Sequence, residues 1–377
     1  MFSQKDLENN FDNEYAKLER EIKQPNIFII GKTGVGKSSL VNAVFGSNCA
    51  NVSDSKPQTR GINRYVHNDV VLFDTEGLEL DAEHESKFDE EIIGEIKRRQ
   101  TKTEKEQIHL IWYLISASSD RITDYDIEVY QKLKSFNIPV AVVFTKGDQA
   151  NEVNVDQMIK RLYPKLSFNL VYEDTDNPPF LVSNDYGDDI LLSPEHIVNW
   201  SINKLPESLK YAFILSQKIS LKSKLSMGES IVLQHTTGNA VVGFSPIPFS
   251  DAPILVLSQT TMLARIIKLY NIGGFDLTTF MKGSGASLVI SNLGKSAVGS
   301  LLKFIPGLGT IAGGVINAGV AGAITYAMGT TMNKLLNILS KKVIEGNEAA
   351  INEFVSNFDT MFKTEFNVEY DNKRNEK

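Results

Sequence analysis

The stretch from Asn26 to Leu40 reads NIFIIGKTGVGKSSL, and the rest of the chain is interpreted around it. Its apolar residues at 27–30 are typical of a buried strand, and the glycine-rich run after them fits the pattern G-x-x-x-x-G-K-[ST]. A helix is expected next, with Leu40 and Val44 on its buried side. Strand, glycine-rich loop and helix in this order are the context in which such a loop binds phosphate.

The loop offers ligands for a phosphate chain and for its metal ion. Glycines let the backbone curl so that successive N–H groups point at one phosphate, and the new helix adds further donors. Lys37 is expected to reach the outer phosphates, and the Ser38 hydroxyl is expected to ligate Mg²⁺. The residues predicted to bind the nucleotide phosphates are Gly31, Thr33, Gly34, Val35, Gly36, Lys37, Ser38 and Ser39.

Length and composition restrict the class of protein. The chain has 377 residues, enough for two domains, and its net charge of −7 does not favour nucleic acid as a partner. Cys49 is the single cysteine, which excludes an internal disulfide framework and a cysteine metal cluster and indicates a reducing, cytoplasmic setting. The charged N-terminal residues do not fit a secretory signal.

Two later segments are predicted to complete the phosphate and metal site. In the polar loop at 46–62, the Thr59 hydroxyl would bind Mg²⁺ and its N–H the γ-phosphate, the alternative being a surface threonine. A buried strand then delivers D-T-E-G, in which Asp74 would lie behind Mg²⁺ and the Gly77 N–H would meet the γ-phosphate. The predicted catalytic residues are Thr59 and Gly77, and the predicted metal ligands are Ser38, Thr59 and Asp74.

A third segment indicates which base is bound. The strand at 138–144 leads into T-K-G-D, which fits T-K-x-D. A carboxylate at Asp148 accepts two hydrogen bonds from guanine, whereas adenine has neither donor and would leave the carboxylate unpaired. The stem of Lys146 would lie over the base, and the last strand ends in a small polar pair suited to backbone contact with guanine O6. The predicted base-binding residues are Thr145, Lys146, Asp148, Ser183 and Asn184.

Strands that alternate with helices over 25–204 predict an α/β fold with a doubly wound, mostly parallel sheet. The candidate ligands lie at carboxyl ends of predicted strands, where such sheets bind ligands. An all-α domain is predicted at 205–345, beginning with one long helix to about residue 243. A helix at 1–24 is expected to pack on the following domain, the alternative being a helix that binds a partner. Residues 346–377 are predicted to be a C-terminal helix and a charged tail.

Residues 25 to about 190 resemble the Era-like GTPases of the translation-factor superclass of P-loop proteins. The resemblance rests on GKTGVGKS, Thr59, DTEG, TKGD and, more loosely, Val182-Ser183-Asn184. It implies GTP and GDP with Mg²⁺ as ligands, and hydrolysis of GTP to GDP and phosphate. Residues 206–275 resemble an uncharacterised helical domain attached to some bacterial Era-like GTPases, mainly through the turn GFSPIPFSDAP.

Two departures from the family pattern affect the expected hydrolysis. Leu78 follows the glycine of DTEG, where Ras-type proteins have glutamine, so hydrolysis is expected to be slow unless another group orients the water. Gly34 stands where potassium-activated members have asparagine, which argues against potassium activation. Arg60 and Arg121 are candidates to neutralise developing charge, the alternative for each being a surface residue.

Residues 277–344 have an unusual composition. They contain six lysines and no aspartate or glutamate, and no charged residue occurs at 304–333. Small residues at four-residue spacing, such as Gly314, Ala318 and Gly322, let helices pack closely. Two interpretations stay open: a glycine-rich helical hairpin inside a soluble domain, and peripheral or inserted contact with an anionic membrane.

The predicted function is a GTP-dependent switch whose helical domain engages an unknown protein effector or a membrane. A nucleotide-dependent dimer is one route by which the attacking water would be positioned. The alternatives are a membrane-acting GTPase similar to the immunity-related GTPases and a nucleotide-binding scaffold with negligible hydrolysis, which Leu78 suggests. An ATPase is a further alternative, and TKGD argues against it.

Overall fold

The computed structural model of the chain describes residues 4–46, 62–75, 85–119, 121–164, 179–183, 190–237, 252–272, 318–347 and 349–375. The chain forms two compact units, which we call the sheet unit (residues 23–220) and the helical unit (residues 1–22 and 221–377). This division differs from the predicted one, because the sheet unit extends past 204 and the N-terminal helix belongs to the helical unit.

The sheet unit is built on six strands, β1 (Asn26–Gly31), β2 (Asn63–His67), β3 (Val70–Asp74), β4 (Leu110–Ser116), β5 (Val140–Thr145) and β6 (Phe180–Leu181). They form one sheet in the order β2-β3-β1-β4-β5-β6. Among these strands, β2 is antiparallel to its neighbour and the others are parallel. The predicted α/β fold with a mostly parallel sheet is confirmed, although β2 was not predicted. In β2 only Tyr65 is buried, which leaves no apolar run in the sequence.

Helices are numbered along the whole chain, and α1 (Gln4–Glu21) belongs to the helical unit. Those of the sheet unit are α2 (Lys37–Phe45), α3 (Glu85–Phe88), α4 (Gly94–Gln100), α5 (Asp124–Lys134), α6 (Glu152–Leu162), α7 (Glu195–Lys204) and α8 (Glu207–Ser216). A π-helical turn, Asp89–Ile93, joins α3 to α4.

Alternate residues of β1 face two different cores, as expected of a strand covered on both faces. Phe28 and Ile30 pack in a core that includes Val129 of α5. Ile27 and Ile29 pack in a second core that includes Val44 of α2. The sheet is therefore doubly wound, with helices on both of its faces.

Helix α5 begins with a side-chain cap. Asp124 is its first helical residue, and the Asp124 Oδ1 accepts a hydrogen bond of 2.6 Å from Arg161. The cap is Thr123, whose hydroxyl accepts from the N–H of Asp126 while the Asp126 carboxylate accepts from the N–H of Thr123. This reciprocal pair is a capping box.

The predicted long helix from 205 to about 243 is wrong, because it is interrupted between α8 and α9 (Leu221–Thr237). The fully buried side chain of Gln217 stabilises the interruption. Its Oε1 accepts from the N–H groups of Ile219 at 2.9 Å and Ser220 at 2.7 Å, and its Nε2 donates to the Ile214 carbonyl. Helical periodicity continues through these residues, so the sequence gives no sign of the break.

The helical unit contains α1, α9, α10 (Ala252–Tyr270), α11 (Ala318–Ile344) and α12 (Ala350–Asn375). Helix α11 packs against α9, α10 and α12, and α1 packs against α10. The all-α region that follows the sheet is therefore as predicted. Helix α12 extends through the predicted charged tail to Asn375. Its buried side carries Phe354, Phe358, Phe362 and Phe366, each ring in contact with the next, and the half-buried ring of Tyr370 stacks on that of Phe366.

Helix α11 is the described part of the unusual 277–344 segment. Among helices of the described residues, none combines the length and the hydropathy that a membrane crossing requires. Lys334 forms ion pairs with Glu365 and Glu369 of α12, and Lys342 lies 3.4 Å from Glu353. Acidic residues outside the segment therefore offset part of the positive charge that the sequence predicts there.

Candidate functional site

The glycine-rich loop after β1 contains backbone conformations that residues with a side chain rarely adopt. Gly34 has a φ of 74° and Gly36 a φ of 106°, both in the left-handed region, and Gly36 is the N-cap of α2. The N–H of Val35 donates to the Lys32 carbonyl at 3.2 Å and closes a turn between these glycines and β1. The local sequence therefore produces a tight loop that ends at a helix N-terminus, the geometry suited to binding phosphate.

Lys37 lies inside this loop. Its side chain is 6% exposed, and its ammonium donates to the carbonyl of Gly31 at 2.8 Å and to that of Lys32 at 3.2 Å. Ser38 and Ser39 follow in the first turn of α2 and are exposed. The loop thus places one positive charge and two accessible hydroxyl groups next to its backbone donors.

Asp74 stands at the carboxyl end of β3, next to the end of β1. The two strands pair so that Ile29 is opposite Asp74, and the N–H of Thr75 donates to the Ile29 carbonyl at 3.3 Å. Asp74 is 5% exposed. The strand pairing therefore brings the carboxylate to the base of the phosphate loop. Thr59 and Gly77, the two predicted catalytic residues, and Leu78 lie outside the described residues.

The donor set fits Mg²⁺ only together with phosphate. The described residues contain no group of three or more His, Cys, Asp or Glu side chains that could hold a metal ion. Mg²⁺ is usually bound through one or two protein oxygens, with phosphate oxygens and water completing the octahedron. Ser38 and Asp74 are the described residues that would hold it, and both present the hard oxygen ligands that Mg²⁺ prefers.

Thr145 joins the predicted base-binding segment, residues 145–148, to the glycine-rich loop. It ends β5 opposite Ser116 of β4, and its buried hydroxyl donates to the Val35 carbonyl at 2.5 Å. The next residue, Lys146, has a φ of 58°, which is uncommon outside glycine and ends the strand abruptly. The chain then enters a short 3₁₀ turn, Gly147–Gln149, that contains Asp148.

Ser183 contacts Asp148 through its hydroxyl group, whereas the sequence predicts a backbone contact with guanine. The Ser183 hydroxyl donates to Asp148 Oδ1 at 2.6 Å, and the serine is 3% exposed. Its backbone N–H, predicted to face guanine O6, instead donates to the Leu192 carbonyl at 3.0 Å. Ser183 therefore orients the carboxylate, and its N–H is already engaged. Asn184, the other half of the predicted pair, lies outside the described residues.

The contact of the Ser183 hydroxyl with Asp148 was not predicted, although the sequence contains a feature that points to it. A serine at the end of the strand beside β5 has a hydroxyl within reach of the turn that β5 enters, because parallel neighbours end at one edge of the sheet. The pairing of β5 with β6, in which Phe144 is opposite Leu181, was needed to place it.

A cavity of about 360 Å³ adjoins the phosphate loop. Its wall includes Thr33 and Gly34 of the loop, the end of β4, the start of α5 and the side chain of Lys146. Arg121 also lines this cavity and is exposed. Arg60, the other candidate arginine, lies outside the described residues. The cavity therefore brings the phosphate loop, a candidate arginine and the base-binding segment to one edge of the sheet.

Comparisons with known proteins agree with this geometry. A family model described as 50S ribosome-binding GTPase matches residues 26–146. The chain is 28% identical to GTPase Era of Caldicellulosiruptor saccharolyticus over 236 residues, which are 58% of this chain and 71% of that protein. It is 30% identical over 168 residues to a probable GTP-binding protein EngB of Leuconostoc mesenteroides, covering 44% of this chain and 84% of that protein.

One solved structure, of a probable GTP-binding protein engB, aligns with a TM-score of 0.36 and 20% identity, covering 47% of this chain and 99% of that one.

Proposed function

The chain belongs to the P-loop GTPase family that includes the GTP-binding proteins Era and EngB, and from this premise we propose that it hydrolyses the GTP it binds. In this proposal the chain alternates between a GTP-bound and a GDP-bound state and acts as a nucleotide-dependent switch. The helical unit is the part that engages an effector.

The main support for this proposal is the 2.5 Å hydrogen bond that the Thr145 hydroxyl donates to the Val35 carbonyl. It fixes the segment that would recognise guanine to the loop that would hold the phosphates. A base and a phosphate chain at either end of this bond would belong to one nucleotide.

In this mechanism, different residues of the chain would bind the phosphates, the base and the metal ion. The loop N–H groups and the Lys37 ammonium stabilise negative charge on the phosphates, where charge develops in the transition state. Asp148, oriented by Ser183, accepts two hydrogen bonds from guanine. Ser38 and Asp74 would hold Mg²⁺, which supplies charge neutralisation at the phosphate oxygens when bound.

We further propose that hydrolysis depends on a group supplied to the site. Leu78 has no hydrogen-bonding atom with which to orient the attacking water. A partner protein, a second copy of the chain, or Thr59 and Gly77 would have to position it. If a partner or a second copy supplies the group, turnover per molecule is expected to rise with an added partner or with protein concentration, and if Thr59 supplies it, Thr59→Ala is expected to slow turnover. Fast turnover in dilute monomer, undiminished by Thr59→Ala, would contradict this dependence.

The test of the core proposal is single-turnover GTP hydrolysis together with nucleotide titration. Lys37→Ala removes the cation that faces the outer phosphates, and we expect at least a tenfold loss of affinity for GTP, from one charge-assisted contact. Ser38→Asn should weaken GTP more than GDP through Mg²⁺. Lys160→Ala, which removes an exposed lysine of α6, is the control. Unchanged affinity in both loop variants would overturn the proposal.

Ribosome binding is a second candidate, because the matching family model is described as a 50S ribosome-binding GTPase. The net charge of −7 argues against a general affinity for RNA. Cosedimentation with 50S subunits, in the presence of a non-hydrolysable GTP analogue or of GDP, tests this candidate. Pelleting in only one nucleotide state would support a ribosome-linked switch.

Membrane contact through 277–344 is supported by the lysines and the uncharged stretch in the sequence. The ion pairs of Lys334 and Lys342 with acids of α12 weaken that support, because paired lysines attract anionic lipid less. Sedimentation with anionic liposomes at low and high salt separates the cases. Peripheral contact predicts binding that is lost at high salt, insertion predicts binding that survives it, and absence of pelleting removes membrane contact.

A further inference from the structure

The second residue of the phosphate loop, Lys32, is joined to a helix outside the loop. Its Nζ lies 3.2 Å from Oδ1 of Asp126, in the first turn of α5. The Asp126 side chain is 6% exposed and that of Lys32 is 43% exposed. The ion pair is therefore anchored on a buried carboxylate, and its lysine end approaches from the loop.

Asp126 is held rigidly where it stands. Its Oδ2 accepts from the N–H and the hydroxyl of Thr123, at 2.9 and 2.6 Å, and its Oδ1 accepts from the hydroxyl of Tyr113 at 3.2 Å. Burial, together with the charge of Asp126, raises the pKa of Tyr113 well above its ordinary value, so the phenol remains a donor. The N-terminus of α5 favours a negative charge at this position.

The backbone carbonyl of Lys32 accepts two hydrogen bonds that stabilise the conformation of the loop. The Lys32 carbonyl accepts from the N–H of Val35 at 3.2 Å and from the ammonium of Lys37, also at 3.2 Å. Lys32 thus has two roles: its side chain pairs with Asp126 of α5, and its carbonyl accepts the hydrogen bond that closes the turn. On the other side of the turn, the Val35 carbonyl is held by Thr145. The apex of the loop is therefore fixed from two neighbouring elements.

We propose that Asp126 is a positioning residue for the nucleotide site, which acts through Lys32 to hold the phosphate loop in its binding conformation. This inference rests on the proposed function, since it presumes that the loop binds GTP and GDP. A loop that is already ordered loses less conformational entropy when the nucleotide binds, so the anchor contributes to affinity without touching the ligand.

The test measures the dissociation constants of GDP and a non-hydrolysable GTP analogue for four variants of the full chain. Lys32→Met removes the ammonium but leaves the capping box of α5 intact. Asp126→Asn keeps hydrogen-bonding capacity and removes the charge. Each is expected to weaken both nucleotides by about 1.5-fold to fivefold, the range expected when a partly exposed ion pair is lost. The double variant should be no weaker than either single variant, and Lys32→Arg should restore most of the affinity.

Controls separate positioning from folding. Lys160→Met removes an exposed ion pair on α6, with Asp156, and should leave nucleotide affinity unchanged. Thermal unfolding is measured for every variant. If Lys32→Met lowers the unfolding midpoint but not the affinity, the pair is merely structural and the inference is overturned. If Lys32→Met weakens binding and Asp126→Asn does not, Lys32 acts directly on the phosphates, and the inference is equally overturned.

The wild-type chain distinguishes this inference from the proposed function. Absence of guanine-nucleotide binding by the wild-type protein would overturn both. Binding by the wild type, with Lys32→Met and Asp126→Asn unchanged, would overturn only the positioning role of Asp126. The expected result is tight binding by the wild type and a matched, non-additive loss in the two single variants and the double variant.

Discussion

The sheet unit and the helical unit differ in whether the residues that define them form short sequence motifs. In the sheet unit, the groups around the candidate site come from short runs at strand ends, such as 31–39 and 145–148. In the helical unit, Gly228 of α9 lies against the side chain of Asn333 of α11, more than a hundred residues away. A ligand demands several groups within a few ångströms of one another, and a short loop supplies them. Packing between helices requires complementary shape between residues distant in sequence, so it produces no short sequence motif.

Asn333 shows how such a contact works. Its Nδ2 donates to the Leu225 carbonyl at 2.9 Å, and its Oδ1 accepts from the Tyr270 hydroxyl at 2.7 Å. A Cβ at Gly228 would lie 2.0 Å from that Oδ1. The missing side chain of Gly228 therefore gives a buried amide the space to join α9, α10 and α11.

The largest effect should come from the sheet unit, on replacing Asp148 by asparagine. Two hydrogen bonds from guanine to a charged acceptor contribute about 1.5–3 kcal/mol each, so GTP affinity should fall by about 10²–10⁴-fold. Xanthosine triphosphate should gain affinity, because its 2-oxo group accepts from an amide. Competition titration with both nucleotides measures the exchange. A variant that keeps its preference for GTP would show that Asp148 does not recognise the base.

The next effect should be confined to the helical unit. Gly228→Ala forces Asn333 to move and breaks its two hydrogen bonds, so we expect unfolding of this unit to become easier by about 1–3 kcal/mol. The matched control is Gly322→Ala on α11, where a Cβ would meet no described atom within 4 Å. It should be neutral or stabilise the helix by up to about 1 kcal/mol.

The two units can be followed separately in this experiment. The chain has two tryptophans, and both Trp112 and Trp200 lie in the sheet unit. Tryptophan fluorescence therefore follows the sheet unit, and far-ultraviolet circular dichroism follows both. Gly228→Ala should shift the dichroism transition more than the fluorescence transition. Equal shifts in both signals would contradict the assignment of the contact to the helical unit.

Acid should also destabilise the helical unit, through His235. Burial and the adjacent Arg265 lower the pKa of His235 to about 3, from the ordinary 6.5. The neutral form is therefore favoured by folding, and this stability is present above pH 6.5 and is lost as the pH falls below it. The loss is about 1.4 kcal/mol per pH unit, or about 2 kcal/mol at pH 5.

His235→Gln isolates this contribution, because a glutamine keeps a polar group near Ser258, which lies 2.9 Å from Nδ1 of the histidine. The free energy of unfolding measured at pH 7 and pH 5 should change less in the variant than in the wild type, by about 2 kcal/mol. Identical pH dependence in the two proteins would show that folding does not lower the pKa of His235.

The smallest effect should again be at the site, from Ser183→Ala. Removing the hydroxyl leaves Asp148 without one of its orienting bonds, and GTP affinity should fall by about twofold to tenfold. Ser135→Ala, at an exposed serine after α5, is the control. Isothermal titration measures both. A loss in the Asp148→Asn background equal to that in the wild type would show that Ser183 acts elsewhere.

The sequence was most informative where local chemistry repeats a known pattern. The α/β fold and GTPase family follow from the loop at 31–38 and the strands around it, because strand, loop and helix are contiguous there. The all-α character of the later residues follows from their periodicity. The buried side of α12 follows from the four-residue spacing of its phenylalanines.

What the sequence did not indicate depends on tertiary contacts. The break between α8 and α9 depends on the Gln217 side chain, which hydrogen-bonds to the backbone of its own turn. The helical periodicity of the sequence continues through these residues. The Lys32–Asp126 pair joins residues 94 positions apart in two segments with no common motif. The engaged N–H of Ser183 depends on the Leu192 carbonyl, which a strand-end pattern cannot locate. In each case the deciding partner lies outside the motif.

Displacement of a fluorescent GDP analogue from the wild-type protein tests whether the sheet unit holds a guanine-specific nucleotide site. GTP and ATP are titrated separately in the presence of Mg²⁺. We expect GTP to displace the analogue at a concentration at least about 100-fold lower than ATP does, because adenine leaves the Asp148 carboxylate unpaired. Displacement by ATP at the same concentration as GTP would contradict it.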